Sequence, residues 1–223
     1  MRPAPPELTL SWRIRAILAA LLTAVLGAGV APAQDPSAPG KQPTQVVDAL
    51  DDTLTSVMKD AKTLGYSGRF DRLSPVIHQL FNLDFMAQKI AGRHWKSMSP
   101  EDRERLVDAF SRYTIANYAG RFSSWSGQEF QGLGEEPSAR GTVLVHTKLL
   151  DPEGEDVKLD YRLRHTDAGG WQIIDIYFNG TVSELALRRA EYSSLIKREG
   201  LEALLTALDE RIAELASTPQ DPA

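Results

Sequence analysis

The chain has 223 residues, 42% hydrophobic and 25% charged, which fits one ordinary globular domain or two small ones. Its net charge of −5 points away from nucleic acid as a partner. With no cysteine it has no disulfide, no thiol nucleophile, no cysteine-ligated zinc and no lipoprotein anchor at an N-terminal cysteine.

Arg13 and Arg15 precede an apolar run, Ala16 to Val30, that ends in Ala31-Pro32-Ala33. A basic start, a short apolar stretch and a small-x-small site make a secretory signal peptide over residues 1–33. The run is shorter than the roughly 20 residues a membrane-spanning helix needs. The mature chain is expected to begin near Gln34, outside the cytoplasm. Arg2, Arg13 and Arg15 leave with the signal against Glu7, so the mature chain is more acidic still. Residues 34–44, rich in Pro, Ala, Ser and Gly, read as a disordered leader.

From Thr44, Val46, Val47, Leu50, Leu54, Val57, Met58, Ala61 and Leu64 recur at helical spacing, and Gly65 is a stop. Asp71 to Gly92 reads as two helical pieces, with Pro75 early in the first. Ser99-Pro100-Glu101-Asp102 is a helix start: a capping hydroxyl, a proline at the first position, and two acids at the positive end of the dipole. Leu106, Val107, Phe110, Tyr113, Thr114, Asn117, Tyr118, Arg121 and Phe122 then mark one wide aromatic face.

After Trp125 the texture becomes that of strands. Gln128–Leu133 is a weak strand and Thr142–Leu150 a stronger one. Asp151-Pro152-Glu153-Gly154 is a turn. Val157, Leu159, Tyr161 and Leu163 alternate with charged residues on a strand with one wet face. Asp167-Ala168-Gly169-Gly170 is the next turn. Trp171–Phe178 is a fourth strand, apolar on both faces apart from Asp175. Ser183 caps a helix to Arg198. Gly200 breaks it, and Leu201, Leu204, Leu205, Leu208, Ile212 and Leu215 form a last amphipathic helix. One domain over residues 45–216 is expected, with a frayed tail at 217–223. Helices, then strands, then helices argue an α+β fold, with an antiparallel four-stranded meander flanked by N-terminal and C-terminal helices.

The four histidines, His78, His94, His146 and His165, are scattered without metal-ligand spacing, and no phosphate-binding loop or nucleophile elbow is present. No cofactor is expected. Asp175 admits two readings. It is a general base in an apolar pocket, as in small isomerases, or it is tied to Arg162, Arg164 or a backbone donor. Asp160 lies on a charged strand face and is expected to be solvated. The large apolar side chains also admit two readings: they pack one another, or they line a cavity for an apolar ligand. Strand alternation nominates Leu159, Tyr161, Leu163, Ile174, Ile176 and Phe178 for that cavity. Helix periodicity nominates Phe85, Met86, Phe110 and Phe122. Arg188, Arg189, Lys197 and Arg198 form a basic cluster that serves as a solvated helix face or meets an acidic partner.

The strings Phe81–Trp95 (FNLDFMAQKIAGRHW), Ser99–Phe122, Trp171–Ser183 (WQIIDIYFNGTVS) and Tyr192–Leu208, in this order and spacing, resemble the MlaC or toluene-tolerance family of periplasmic lipid-binding proteins. Gly180–Ile196 is most similar to the hopanoid-associated HpnM branch. The resemblance implies a cone-shaped α+β body. It implies a periplasmic shuttle, not an enzyme, that carries phospholipid or a hopanoid-related lipid between an inner-membrane transporter complex and an outer-membrane acceptor. The acyl chains would be buried and the head group left near solvent. A monomer is expected. Tyr118 matches a family tyrosine that faces the acyl chains, and Val182 a family apolar residue at the pocket. The family's Gly-Val-Ser is here Gly180-Thr181-Val182-Ser183, one residue longer.

Overall fold

The computed structural model describes residues 41–166 and 170–217. The proposed signal peptide, the leader up to residue 40, Asp167–Gly169 of the second turn, and residues 218–223 of the tail lie outside the described residues. The chain runs α1 (Pro43–Lys59), α2 (Ala61–Leu80), α3 (Leu83–Ala91), a 3₁₀ turn, and α4 (Pro100–Arg121). Five strands follow: β1 (Glu129–Ser138), β2 (Thr142–Leu150), β3 (Val157–Thr166), β4 (Gly170–Phe178) and β5 (Val182–Ser183). α5 (Glu184–Glu199) and α6 (Leu201–Ser217) close the chain. The strands form one antiparallel sheet in the order β1-β2-β3-β4-β5. The expected meander is present, with five strands rather than four. The extra one has only two residues, too few to leave an alternation signal, and it exists because it pairs with Tyr177 and Phe178.

The helix starts follow local chemistry. Ser99 Oγ accepts from Asp102 N at 3.1 Å, and Ser183 Oγ accepts from Ala186 N at 2.9 Å, so both expected caps are made. The first helix differs from expectation. It ends at Lys59, and α2 folds back from Asp60, where the carboxylate pairs with Arg72. The backbone then breaks at Gly65, with φ 60° and ψ −175°, a conformation open essentially to glycine alone. Because helix already runs from Ala61, Pro75 sits in its interior rather than near its start.

β1 extends five residues beyond its expected end. Leu133 is an extra residue between the pairs Gly132–Thr147 and Gly134–His146, and this bulge restarts the ladder. Glu135, Glu136 and Pro137 read as non-strand, yet they pair normally because β1 is an edge strand, where a missing N–H is tolerated. The upper half of β4 is not left open either: Asn82 N donates to Ile173 O at 2.9 Å, so the α2–α3 link covers that edge.

A second bulge decides the faces of β4. Arg162 pairs with Asp175 and Leu163 with Ile173, so Ile174 is the extra residue. Ile173, Ile176 and Phe178 therefore share a face with Leu159, Tyr161 and Leu163, and simple alternation fails at Ile174. This explains the run of apolar residues in β4: Ile173, Ile174, Asp175 and Ile176 are all buried, against covers on two sides. The inner face packs on α1, α2 and α4 through Val47, Leu50, Leu54, Leu73, Ile77 and Ile115. α6 lies along α4, where Arg105 pairs with Glu202 and Arg112 with Asp209.

The outer face is polar but not fully solvated. Asp160 is only 5% exposed, and its Oδ1 lies 2.8 Å from His146 Nδ1, which corrects the expectation that it faces water.

Candidate functional site

An apolar pocket of about 210 Å³ lies between the inner face of the sheet and the C-terminal turns of α4. Its sheet wall is Leu149, Val157, Leu159, Tyr161, Ile176 and Phe178. The register aligns them, with Leu149 opposite Val157, Leu159 opposite Phe178, and Tyr161 opposite Ile176. The helix wall is Asn117, Tyr118, Arg121 and Phe122. These residues meet on one side because α4 returns to the same face every three to four positions.

Tyr118 and Phe122 of this wall belong to an aromatic ladder that continues beyond the pocket. Phe81 meets Tyr118 edge-on at 5.7 Å, Tyr118 stacks on Phe122 at 5.7 Å, and Phe122 meets Phe130 of β1 at 6.2 Å. Polar groups are confined to Asn117, Arg121, Glu184 and the phenolic tips. Arg121 lies over the Phe178 ring at 5.3 Å and donates to Asn117 Oδ1 at 3.2 Å. Glu184 is held by Arg188 at 2.8 Å. Burial raises the hydroxyl pKa values of Tyr118 and Tyr161 well above the ordinary tyrosine range, and the charge of Asp51 adds to both, so both phenols stay neutral.

Six of the twelve nominated residues come together here: Tyr118, Phe122, Leu159, Tyr161, Ile176 and Phe178. The other six do not. Leu163, Met86 and Phe110 are buried in the general core. Ile174 lies on the opposite sheet face because of the β4 bulge, and Phe85 lies there with it. Val182 is 44% exposed in β5 and lies outside the pocket. Leu149 and Val157 line the pocket without having been nominated, although their strands alternate in phase with Leu159. Asn117 and Arg121 belong to the periodic face of α4; their polarity hid them among apolar neighbours.

Asp175 is 5% exposed and stands opposite Arg162, but no ion pair joins them. Its carboxylate accepts from Ile176 N at 2.9 Å, Ser183 Oγ at 2.6 Å and Leu185 N at 3.0 Å. Of the two structural partners expected for it, the backbone donor is the one present. The bonds from Ser183 and Leu185 tie β4 to the start of α5, while Ile176 N and the Tyr177 side chain engage the carboxylate within β4. The basic cluster splits as well: Arg188 turns inward onto Glu184, whereas Arg189 and Lys197 line a surface groove. No His, Asp or Glu cluster among the described residues could hold a metal ion. No helix among them is long and apolar enough to cross a membrane.

The sequence model of the MlaC protein family matches residues 48–210, most of the chain. The chain belongs to the MlaC family. The intermembrane phospholipid transport system binding protein MlaC of Haemophilus influenzae is 24% identical over 136 residues. That match spans 60% of this chain and 63% of the relative's length. The phospholipid-binding protein of Ralstonia solanacearum, solved in complex with a phospholipid, superposes with a TM-score of 0.66 at 27% identity. The superposition covers 77% of this chain and 97% of that one. The α+β fold is thus shared with this solved phospholipid-binding protein.

Proposed function

We propose that this MlaC-family chain is a periplasmic carrier that takes phospholipid acyl chains into the pocket between α4 and the sheet. The observation that carries this reading is the pocket's composition: a continuous apolar wall with polar groups only at Asn117, Arg121, Glu184 and two neutral phenols. The phospholipid in the Ralstonia relative supports the same ligand class. Each methylene moved from water into such a wall contributes about 0.8 kcal/mol, so two chains bind firmly without polar contacts along their length. Arg121 at the rim suits a head-group phosphate. The pocket is smaller than the roughly 300 Å³ at which ligand cavities usually start. Taking two chains therefore requires the aromatic ladder and the sheet to separate. The inner-membrane complex and the outer-membrane acceptor that would load and empty the carrier, a monomeric state, and export by the N-terminal signal belong to the same proposal.

The test is native mass spectrometry of protein purified from cells, followed by lipid extraction. Bound phospholipid, and its loss in an Ile176→Trp variant that fills the pocket but keeps its circular dichroism spectrum, is the expected result. Protein that brings no lipid and takes none up from liposomes contradicts the reading. The extract also distinguishes cargo, since a hopanoid-related lipid would be a rigid ring body instead of two flexible chains.

A further inference from the structure

A second cleft, of about 700 Å³, opens on the opposite face of β3 and β4. Its wall includes Arg162, Arg164, Ile174 and Asp175, whereas Tyr161, Ile176 and Phe178 of the same strands face the apolar pocket. The sheet therefore stands between the two cavities. A lipid with its chains in the first cannot place its head group in the second.

The charge of this cleft is unlike that of the chain. The chain is net acidic, yet Lys89, Arg140, Arg162, Arg164 and Arg189 converge here from α3, the β1–β2 turn, β3 and α5, with His165 beside them. Among the described residues, none of these five cations has a carboxylate within ion-pair distance. Arg72, Arg105, Arg112, Arg188, Arg198 and Arg211 all do. Asp175, the one carboxylate in the wall among the described residues, is engaged by Ser183, Tyr177 and two backbone amides. Asp84 lies in an adjoining groove beyond Phe85 and pairs with none of them.

The cations are also positioned. Phe85 is held between Lys89, 4.7 Å from its ring centre, and Arg164, at 4.8 Å. Arg162 lies over Tyr177 at 5.1 Å, and its Nε is buried without a hydrogen-bond partner. A buried guanidinium donor without an acceptor is a costly arrangement unless something supplies one. The amides of Leu185 and Ala186 at the start of α5 are already used by Asp175 and Ser183, so an anion would be held by side chains alone.

We propose that this cleft is a second binding site, for a phosphate group, built from Lys89, Arg140, Arg162, Arg164 and Arg189. Several guanidinium forks on a concave wall match the oxygens of a phosphate better than a lone carboxylate, and concavity focuses their field. A flat bilayer does not enter a concave wall, whereas a protruding phosphate does. The site does not depend on acyl chains entering the other pocket.

Calorimetric titration of the mature chain with inorganic phosphate and with glycerol phosphate, alongside sedimentation with phosphatidylcholine vesicles with and without phosphatidic acid, tests this. Binding is expected to weaken tenfold or more in an Arg164→Gln/Arg189→Gln variant and to weaken as salt is raised, with acyl-chain uptake unchanged. Binding of the free phosphates alone assigns a soluble ligand. Co-sedimentation only with phosphatidic acid vesicles, lost in the double variant, assigns a lipid head group. If the double variant misfolds, Arg140→Gln on the exposed turn should give a smaller loss in the same direction. Absence of binding from both sources overturns the proposal, as does binding that these variants leave intact. Binding confined to an acidic peptide such as hexaglutamate also overturns it, and makes the cleft a protein-docking surface.

Discussion

Asp51 sits in an environment at odds with a charged carboxylate. It sits on the buried side of α1, 7% exposed, and its Oδ1 has no hydrogen-bond partner. Burial, and then the charges of Asp48 and Asp52, raise its pKa to about 8. In the unfolded chain it would titrate near the ordinary value of about 3.9. Between those values the folded chain holds a proton that the unfolded chain has released. Stability therefore falls as pH rises through this window, by up to about 1.4 kcal/mol per pH unit. Asp51→Asn removes that slope. Measured by urea unfolding, the variant should gain about 2–4 kcal/mol on the parent between pH 5 and pH 8. Parallel pH profiles for the two proteins would show that Asp51 ionises as freely folded as unfolded.

At the scale of elements, the junction of β4, β5 and α5 hangs on one carboxylate. Asp175 accepts from its own strand, from the α5 cap Ser183 and from the first turn of α5. Asp175→Ala leaves three donors without their acceptor and should cost about 2–4 kcal/mol in chemical denaturation. Asp175→Asn keeps one acceptor oxygen and should cost less. Lipid uptake by folded Asp175→Asn protein is expected to match the parent. A stable variant that has lost a catalytic turnover would instead favour the isomerase-like reading.

For the molecule as a whole, the pocket sits between parts that must separate for two acyl chains to enter. A ligand that binds only the folded state stabilises it in proportion to the logarithm of its concentration over Kd. Lipid loading should therefore raise Tm by several degrees, on the order of 2–4 °C per kcal/mol for a domain of this size. The Ile176→Trp variant should show no such rise. A lipid-independent Tm in the parent would mean that the chains do not enter the body.

The sequence by itself carried the order of the elements, the caps at Ser99 and Ser183, the bounds of β2 and the meander. All of these rest on neighbours a few residues apart: a hydroxyl reaching an amide three positions on, or side chains returning every second or every fourth residue. Of the residues that line the pocket, Phe122, Leu159, Tyr161, Ile176 and Phe178 were nominated by their period and Tyr118 by the family resemblance. What only the tertiary structure decided is what a break in period or a distant partner controls. One extra residue in β4 sent Ile174 to the face opposite Ile176. The length of β1 depended on β2 pairing with Glu135 and Pro137 despite their poor strand propensity. The cationic cleft gathers four separate elements, so no local string announces it. Register and convergence are set by contacts between segments far apart in the chain, and local pattern does not record those contacts.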